Sequence, residues 1–138
     1  MFARTALALG LAISTVATAF AQTPAPQGAK VYFISPQNGE EITGPVTVKF
    51  GLSGMGVAPA GVEKPNTGHH HLIINTTVTD FSGALPADDN HKHFGGGQTE
   101  AKVTLPPGKH TLQLLLGDHN HIPHAPPVMS EVITITVK

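Results

Sequence analysis

The sequence predicts an all-β protein, a single immunoglobulin-like two-sheet β-sandwich of about seven strands that follows a cleaved signal peptide. Three observations predict this class. Short runs rich in Val, Ile and Thr recur along the chain, and Gly, Pro and Asn separate them. No segment beyond residue 22 has the 3.6-residue periodicity of an amphipathic helix. About seven short strands in one small domain are typical of a sandwich.

The N-terminal residues predict export. A positive charge at Arg4 precedes an apolar run that ends in Ala-Phe-Ala at 19–21, the A-x-A pattern of a signal peptidase site. The run is too short for a membrane span, and no later segment approaches one. We therefore expect a periplasmic or secreted protein whose mature chain begins at Gln22. The predicted organisation is signal peptide 1–21, flexible leader 22–29 and sandwich domain 30–138.

The predicted strands are short. The clearest period-two pattern comes from Val46, Val48 and Phe50, which alternate with Thr and Lys as in a half-buried strand. Pro-Pro-Gly at 106–108 predicts a tight reversal between two strands. The predicted strands are 31–34, 45–51, 69–75, about 81–85, 100–105, 110–117 and 130–137.

The composition excludes several classes of protein. The chain has no cysteine, which excludes disulfides, thiolate metal sites and a cysteine nucleophile. It has 8 Lys and Arg, of which Arg4 is the only arginine, against 9 Asp and Glu. That balance argues against nucleic acid as a partner, since nucleic-acid binding requires a basic patch. No hydrolase nucleophile motif is present, so we assign no catalytic residue.

Histidine is the unusual feature, because the chain has 9 and all of them lie after residue 68. Three open the predicted strand 69–75, two lie at 91 and 93, and three lie in the loop "GDHNHIPHAPP" at 117–127. In an immunoglobulin-like sandwich, the loops before the third, fifth and seventh strands gather at one end. We therefore expect every histidine except His110 at that end.

Side-chain alternation assigns these histidines to faces. In the predicted strand 69–75, His70 points to the core, while His69 and His71 point to the outer face. The predicted strand 110–117 presents its alternate leucines to the same core. If the two strands pair antiparallel, the start of the first lies next to the end of the second.

The same pairing brings the loop after residue 117 next to the outer-face pair. We expect His119 and His121 to flank that pair. On the inner side we expect His70 to donate a hydrogen bond to Asp118 or to a loop carbonyl, and we expect His124 to brace the loop.

These positions predict a transition-metal site, with copper as the first choice and zinc as the second. Neutral imidazole is the commonest protein ligand for both metals, and a His-x-His pair on a strand points two imidazoles the same way. The thioethers of Met55 and Met129, which we expect at the same end of the sandwich, favour copper. The predicted ligands are His69, His71, His91, His93, His119 and His121. The predicted supporting residues are His70, Asp118, His124, Met55 and Met129.

The predicted function is sequestration, delivery or tolerance of the metal in the periplasm, without catalysis. The partners are the metal ion and, for delivery, a periplasmic protein. Two alternatives stay open. The histidines could serve only to order loops in a structural or protein-binding module, because imidazole both donates and accepts hydrogen bonds. A copper or zinc site on a sandwich could also be superoxide dismutase-like, although the disulfide of that family is missing.

A family resemblance covers nearly all of the chain after the signal peptide. It rests on "VYFISPQNGEEITGPVTVKFGLSGMGVAP", "TGHHHLIIN", "HFGGGQTEA", "LPPGKHTLQLLLGDHNHIPHAPPVMSE" and the closing strand. These stretches resemble the bacterial domain of unknown function 4399. The resemblance implies a small, exported, β-rich protein and no particular activity, so the metal site is predicted from the histidine spacing alone.

Overall fold

The computed structural model describes residues 21–138, and in that part the chain forms nine strands and no helix. The predicted all-β, two-sheet class is confirmed. The predicted signal peptide lies outside the described residues, apart from Ala21. Within 21–138 there is no helix of the length and hydrophobicity needed to cross a membrane. The strands are β1 (Lys30–Ser35), β2 (Glu41–Ile42), β3 (Val46–Ser53), β4 (Gly56–Val57), β5 (Thr67–Ile74), β6 (His91–His93), β7 (Glu100–Val103), β8 (Gly108–Gly117) and β9 (Ile133–Val137).

The two sheets differ in size. The smaller sheet has the strand order β1-β3-β7, and the larger has the order β2-β9-β8-β5-β4 with β6 also paired to β5. The β5–β8 pair is antiparallel, as predicted from the sequence. Because β5 has partners on both edges, its backbone groups are satisfied within the sheet and the strand lies in its interior.

The main core fills the space between the sheets. On β3, Val46, Val48 and Phe50 point inward, as the period-two pattern predicted. Full burial of an aliphatic side chain of this kind stabilises the fold by about 1.5–3 kcal/mol. The core thereby fixes which face of β5 points away from it. The residues that face β3 from β5 and β8 are Leu72, Ile74, Leu112, Leu114 and Leu116.

A second, smaller apolar cluster covers the outer face of the larger sheet. Ile73 and Leu115 are buried there together with Leu85, and Val78 and Phe81 pack against them. Leu85 and the two partly buried residues belong to the loop between β5 and β6. This loop therefore lies over the outer face of β5 and shields part of it from water. We call these five residues the outer cluster.

The strand predicted at about 81–85 is wrong, because these residues form bends within the loop that joins β5 to β6. The carboxylate of Asp80 accepts hydrogen bonds from the backbone N–H and the hydroxyl of Ser82, at 2.9 and 2.6 Å. Such a local turn competes with strand pairing. The strand that pairs with β5 here is β6, which the sequence did not predict.

The first part of the predicted flexible leader, 22–29, is docked on the domain. The N–H of Ala25 donates to the carbonyl of Ala125, and the N–H of Ala125 donates to the carbonyl of Thr23, both at 3.0 Å. The Thr23 hydroxyl donates to the carboxylate of Asp118 at 2.7 Å. We call residues 22–25 the N-terminal strap, since they hold the loop that follows β8.

Candidate metal centre

The candidate site begins with two histidines on the outer face of β5. His69 and His71 are only 0% and 1% exposed, whereas histidine is on average intermediate in burial. They lie opposite Gly117 and Leu115 of β8. Because Leu72 points into the main core, its neighbour His71 points outward, and so does His69. The predicted sidedness of this pair is confirmed.

The third histidine comes from the loop after β8. The carboxylate of Asp118 accepts hydrogen bonds from the backbone N–H groups of Asn120 at 2.8 Å and Ile122 at 3.0 Å, which closes the loop into a tight turn. Within this turn His121 takes a φ of 64°. Its carbonyl accepts a hydrogen bond from the N–H of Leu85 at 2.9 Å. The turn and the outer cluster together hold the His121 ring against β5.

The ring nitrogens of these three histidines converge. Nε2 of His69 lies 2.9 Å from Nε2 of His71 and 3.0 Å from Nδ1 of His121. One ring nitrogen from each of the three lies within 4.8 Å of the others. Nε2 of His69 carries either a proton or a lone pair, so it cannot form a full hydrogen bond with both neighbours. One metal ion could accept lone pairs from all three rings. We call these residues the triad.

The buried rings of the triad lack other hydrogen bonds. Nδ1 of His69 and Nδ1 of His71 are both buried without a hydrogen-bond partner among residues 21–138. An unpaired buried polar group costs about 1–3 kcal/mol. A metal ion bound through the converging nitrogens would leave these two Nδ1 atoms unpaired as well, so the convergence of the nitrogens, and not the missing hydrogen bonds, is what indicates a metal site.

The triad is neutral near pH 7. Burial, with repulsion from His121 and His93, lowers the pKa of His69 to about 4. Burial, with repulsion from the neighbouring imidazoles, lowers the pKa of His71 to about 3. Burial and His93 lower the pKa of His121 as well. Since neutral imidazole is the form that binds a metal, the triad needs no deprotonation before binding.

A glycine on β8 makes room for the triad. A Cβ built on Gly117 would lie 2.7 Å from Nε2 of His71 and 3.4 Å from Cα of His121. The first distance is shorter than side chains tolerate, so any other residue would push the imidazole of His71 away. The close approach of the two rings therefore depends on the missing side chain at this position.

Of the other predicted ligands, His93 lies beside the triad. It is the last residue of β6 and pairs with His71. Its ring centroid lies 4.5 Å from that of His121, 5.3 Å from that of His69 and 5.4 Å from that of His71. The structure therefore brings four of the predicted ligands together, three buried or partly buried and one exposed.

Two predicted ligands, His91 and His119, lie elsewhere. The register of β6 sets His91 opposite Ile73, one pair further from the triad, and its Nδ1 lies 2.8 Å from the carboxylate of Asp88. Nε2 of His119 lies 3.0 Å from the side-chain amide nitrogen of Asn120. Strand alternation ends at Gly117, so His119 and His121 do not share a direction as they would on a strand.

The predicted contact between His70 and Asp118 is wrong. His70 lies in the main core with its ring centroid 4.9 Å from that of Phe50, and neither of its ring nitrogens has a hydrogen-bond partner within 21–138. Burial lowers its pKa to about 4. Burial raises the pKa of Asp118, but hydrogen bonds from Thr23 and from two backbone N–H groups of the turn outweigh it, so this pKa is lowered.

The remaining supporting residues do not extend the donor set of the triad. Nε2 of His124 lies 3.2 Å from the carbonyl oxygen of Thr67, which ties the loop after β8 to the start of β5, so the predicted bracing is present. Met55 packs against the main core, on the opposite face of β5 from the triad. Met129 pairs with Leu115 in an isolated bridge and is 47% exposed, so Leu115 separates its backbone from β5.

The fold and the site define a small all-β sandwich with a buried histidine cluster that could hold a metal ion. The chain belongs to the family described as "Domain of unknown function (DUF4399)", whose sequence profile matches residues 48–138, and the resemblance noted from the sequence is confirmed. No curated protein matches the chain. The solved endo-beta-1,4-mannanase from Thermotoga petrophila is 19% identical, with a TM-score of 0.46 over 81% of this chain. The matched region is only 20% of that enzyme chain.

Proposed function

We propose that this protein binds one transition-metal ion, copper in preference to zinc, through His69, His71 and His121. The observation that carries the proposal is the convergence of the ring nitrogens of three neutral imidazoles, two of them almost fully buried. The almost complete burial of His69 and His71 supports retention of a bound ion, because water has little access to displace these two ligands.

The donor set supports copper over zinc. The triad offers three imidazole nitrogens, and a nitrogen site of this kind binds Cu²⁺ more tightly than Zn²⁺ in the general order of divalent metal affinities.

We place this binding in the periplasm, where the protein would sequester, deliver or detoxify the metal. The placement rests on the predicted signal peptide, and the absence of cysteine makes the donor set insensitive to an oxidising compartment. A periplasmic protein would be the partner if the metal is delivered.

The test is equilibrium dialysis and competitive titration of the protein, purified without a histidine tag, against Cu(II) and Zn(II). We expect about one equivalent of copper to be retained and the melting temperature to rise, since a ligand at 100 times its Kd stabilises the fold by about 2.7 kcal/mol. The change His121→Ala should abolish tight binding while the fold persists, because this residue lies in a loop. The matched controls His119→Ala and His91→Ala remove imidazoles outside the triad and should retain copper.

Failure of the wild-type protein to retain either metal would overturn the proposal and favour a structural role. Two other histidines show what that role looks like. His110 lies between the side-chain amide of Asn75 and the carbonyl of Pro106, at 2.9 and 2.7 Å, and His124 contacts a carbonyl of β5. Unlike His69 and His71, His110 uses both of its ring nitrogens in hydrogen bonds.

A further inference from the structure

His93 occupies a different position from the triad. It ends β6, a three-residue strand with a single partner strand, and its side chain is exposed. Its ring lies nearly perpendicular to that of His121, at an interplanar angle of 73° and a centroid separation of 4.5 Å. His93 is therefore an exposed imidazole that contacts the triad on its solvent side.

Neither ring nitrogen of His93 joins the converging nitrogens of the triad, and Nε2 lies against Gly95. A Cβ built on Gly95 would lie 2.4 Å from Nε2 of His93 and 2.7 Å from its Cε1, so this end of the ring rests on the Gly95 backbone. His93 accordingly falls outside the group whose nitrogens lie within 4.8 Å of one another. Rotation about its side-chain bonds would exchange this contact for one with the metal, and an exposed side chain makes such changes rapidly.

We propose that His93 is an exchangeable fourth ligand that controls release of the metal held by the triad. In one orientation it completes a four-imidazole site, and in the other it rests on Gly95 and opens one coordination position to solvent. This inference rests on the proposed metal binding and chooses delivery over sequestration as its purpose.

The chemistry of release is a ligand exchange without a redox step. The bond between the His93 nitrogen and Cu(II) breaks, and a lone pair from an incoming imidazole or carboxylate forms the new bond at the same position. Further donors of the acceptor then replace the triad nitrogens one at a time, so each metal–nitrogen bond that breaks is matched by a bond that forms and the ion is never free in solution. The buried triad ligands cannot begin this exchange, because an acceptor reaches the ion only after His93 has left it.

The first experiment compares copper-loaded wild-type protein with the His93→Ala and His91→Ala variants. The number of nitrogen donors is read from the electron paramagnetic resonance spectrum of Cu(II), and the release rate from transfer to excess EDTA. We expect His93→Ala to retain one equivalent of copper with one nitrogen donor fewer and to release it at least about tenfold faster. His91→Ala, on the same strand and face, should match the wild type.

An unchanged spectrum and rate in His93→Ala would overturn the role of His93 while leaving the triad site intact. Absence of bound copper in the wild-type protein would overturn both proposals. Loss of all copper in His93→Ala, with wild-type loading, would make His93 an obligatory ligand and overturn its exchangeable role.

The second experiment fills the resting position of His93. In Gly95→Ala the added methyl occupies the place of Nε2, so the open orientation is disfavoured and release to EDTA should slow about threefold or more. Gly96→Ala is the matched control, since the atoms nearest to its Cβ would belong to the Gln98 side chain and not to a histidine. If Gly95→Ala released copper to EDTA as fast as the control or faster, the proposal that His93 exchanges between two orientations would be overturned.

Discussion

At the scale of single residues, the site combines positions that the sequence specifies with one that it does not. The outward direction of His69 and His71 could be predicted, because the pattern of β5 admits only one register against an apolar core. The choice of His121 over His119 could not be predicted. It depends on a turn closed by the carboxylate of Asp118 and on a positive φ, and neither leaves a periodic signal in the sequence.

The lowered histidine pKa values predict how the stability of the metal-free protein depends on pH. Burial lowers the pKa of His69 and His70 to about 4 and that of His71 to about 3, whereas the unfolded chain protonates near the ordinary value of 6.5. Between pH 6.5 and 4 the unfolded state therefore binds more protons, so stability is complete above 6.5 and is lost as the pH falls. The slope is at most on the order of 1.4 kcal/mol per pH unit for each group.

Urea unfolding in the presence of a chelator, at intervals from pH 7.5 to 4.5, measures this loss. The change His70→Leu should flatten the dependence by about a quarter to a third, since it removes one of the four histidines whose pKa is lowered and leaves the triad in place. A slope in His70→Leu equal to that of the wild type would show that His70 is not penalised for protonation in the folded state.

At the scale of secondary structure, the long strands with a clear period could be predicted from the sequence and the short ones could not. The strands β3, β5 and β8 have 8, 8 and 10 residues, and each was predicted from its sequence pattern. The three-residue β6 was missed because it is too short to show a period and is defined by its pairing with β5. The docking of the N-terminal strap was missed as well, since it depends on hydrogen bonds to residues about a hundred positions away.

The strap gives a prediction of its own. The side-chain amide of Gln22 donates to the carbonyls of Phe81 and Pro123, and Thr23 donates to Asp118, so the strap joins both loops that surround His121. We expect Thr23→Val to lower copper affinity about fivefold, corresponding to the roughly 1 kcal/mol of one hydrogen bond, and Thr23→Ser to restore it.

Competitive chelator titration measures the affinity of these strap variants, and thermal unfolding of the metal-free protein measures their stability. Val103→Ala serves as the control for general destabilisation, because it loosens the main core on β7, on the sheet opposite the triad. It should lower the melting temperature without lowering the affinity. Equal affinity in Thr23→Val and the wild type would mean that the strap does not position the site.

At the scale of the whole molecule, the larger sheet has apolar packing on both faces, and the two packings serve different ends. The main core between the sheets holds the fold together, whereas the outer cluster lies on the same face as the triad and is joined to His121 by the hydrogen bond from the N–H of Leu85. Because the site and the main core pack on opposite faces of the sheet, the site can differ in stability from the domain. The loops around the site can open locally by breaking only the contacts of the outer cluster.

Two leucine truncations separate these roles. Leu114→Ala removes a fully buried side chain from the main core and should cost about 2–5 kcal/mol of unfolding free energy, while the copper-induced rise in melting temperature persists in the folded protein. Leu85→Ala truncates the outer cluster, where its backbone N–H also holds the carbonyl of His121, and should lower copper affinity with a smaller loss of stability. Differential scanning calorimetry with and without one equivalent of Cu(II) reads both effects. If Leu85→Ala kept the full copper-induced shift, the outer cluster would contribute nothing to metal retention, and the burial of the triad would have to be explained by the fold alone.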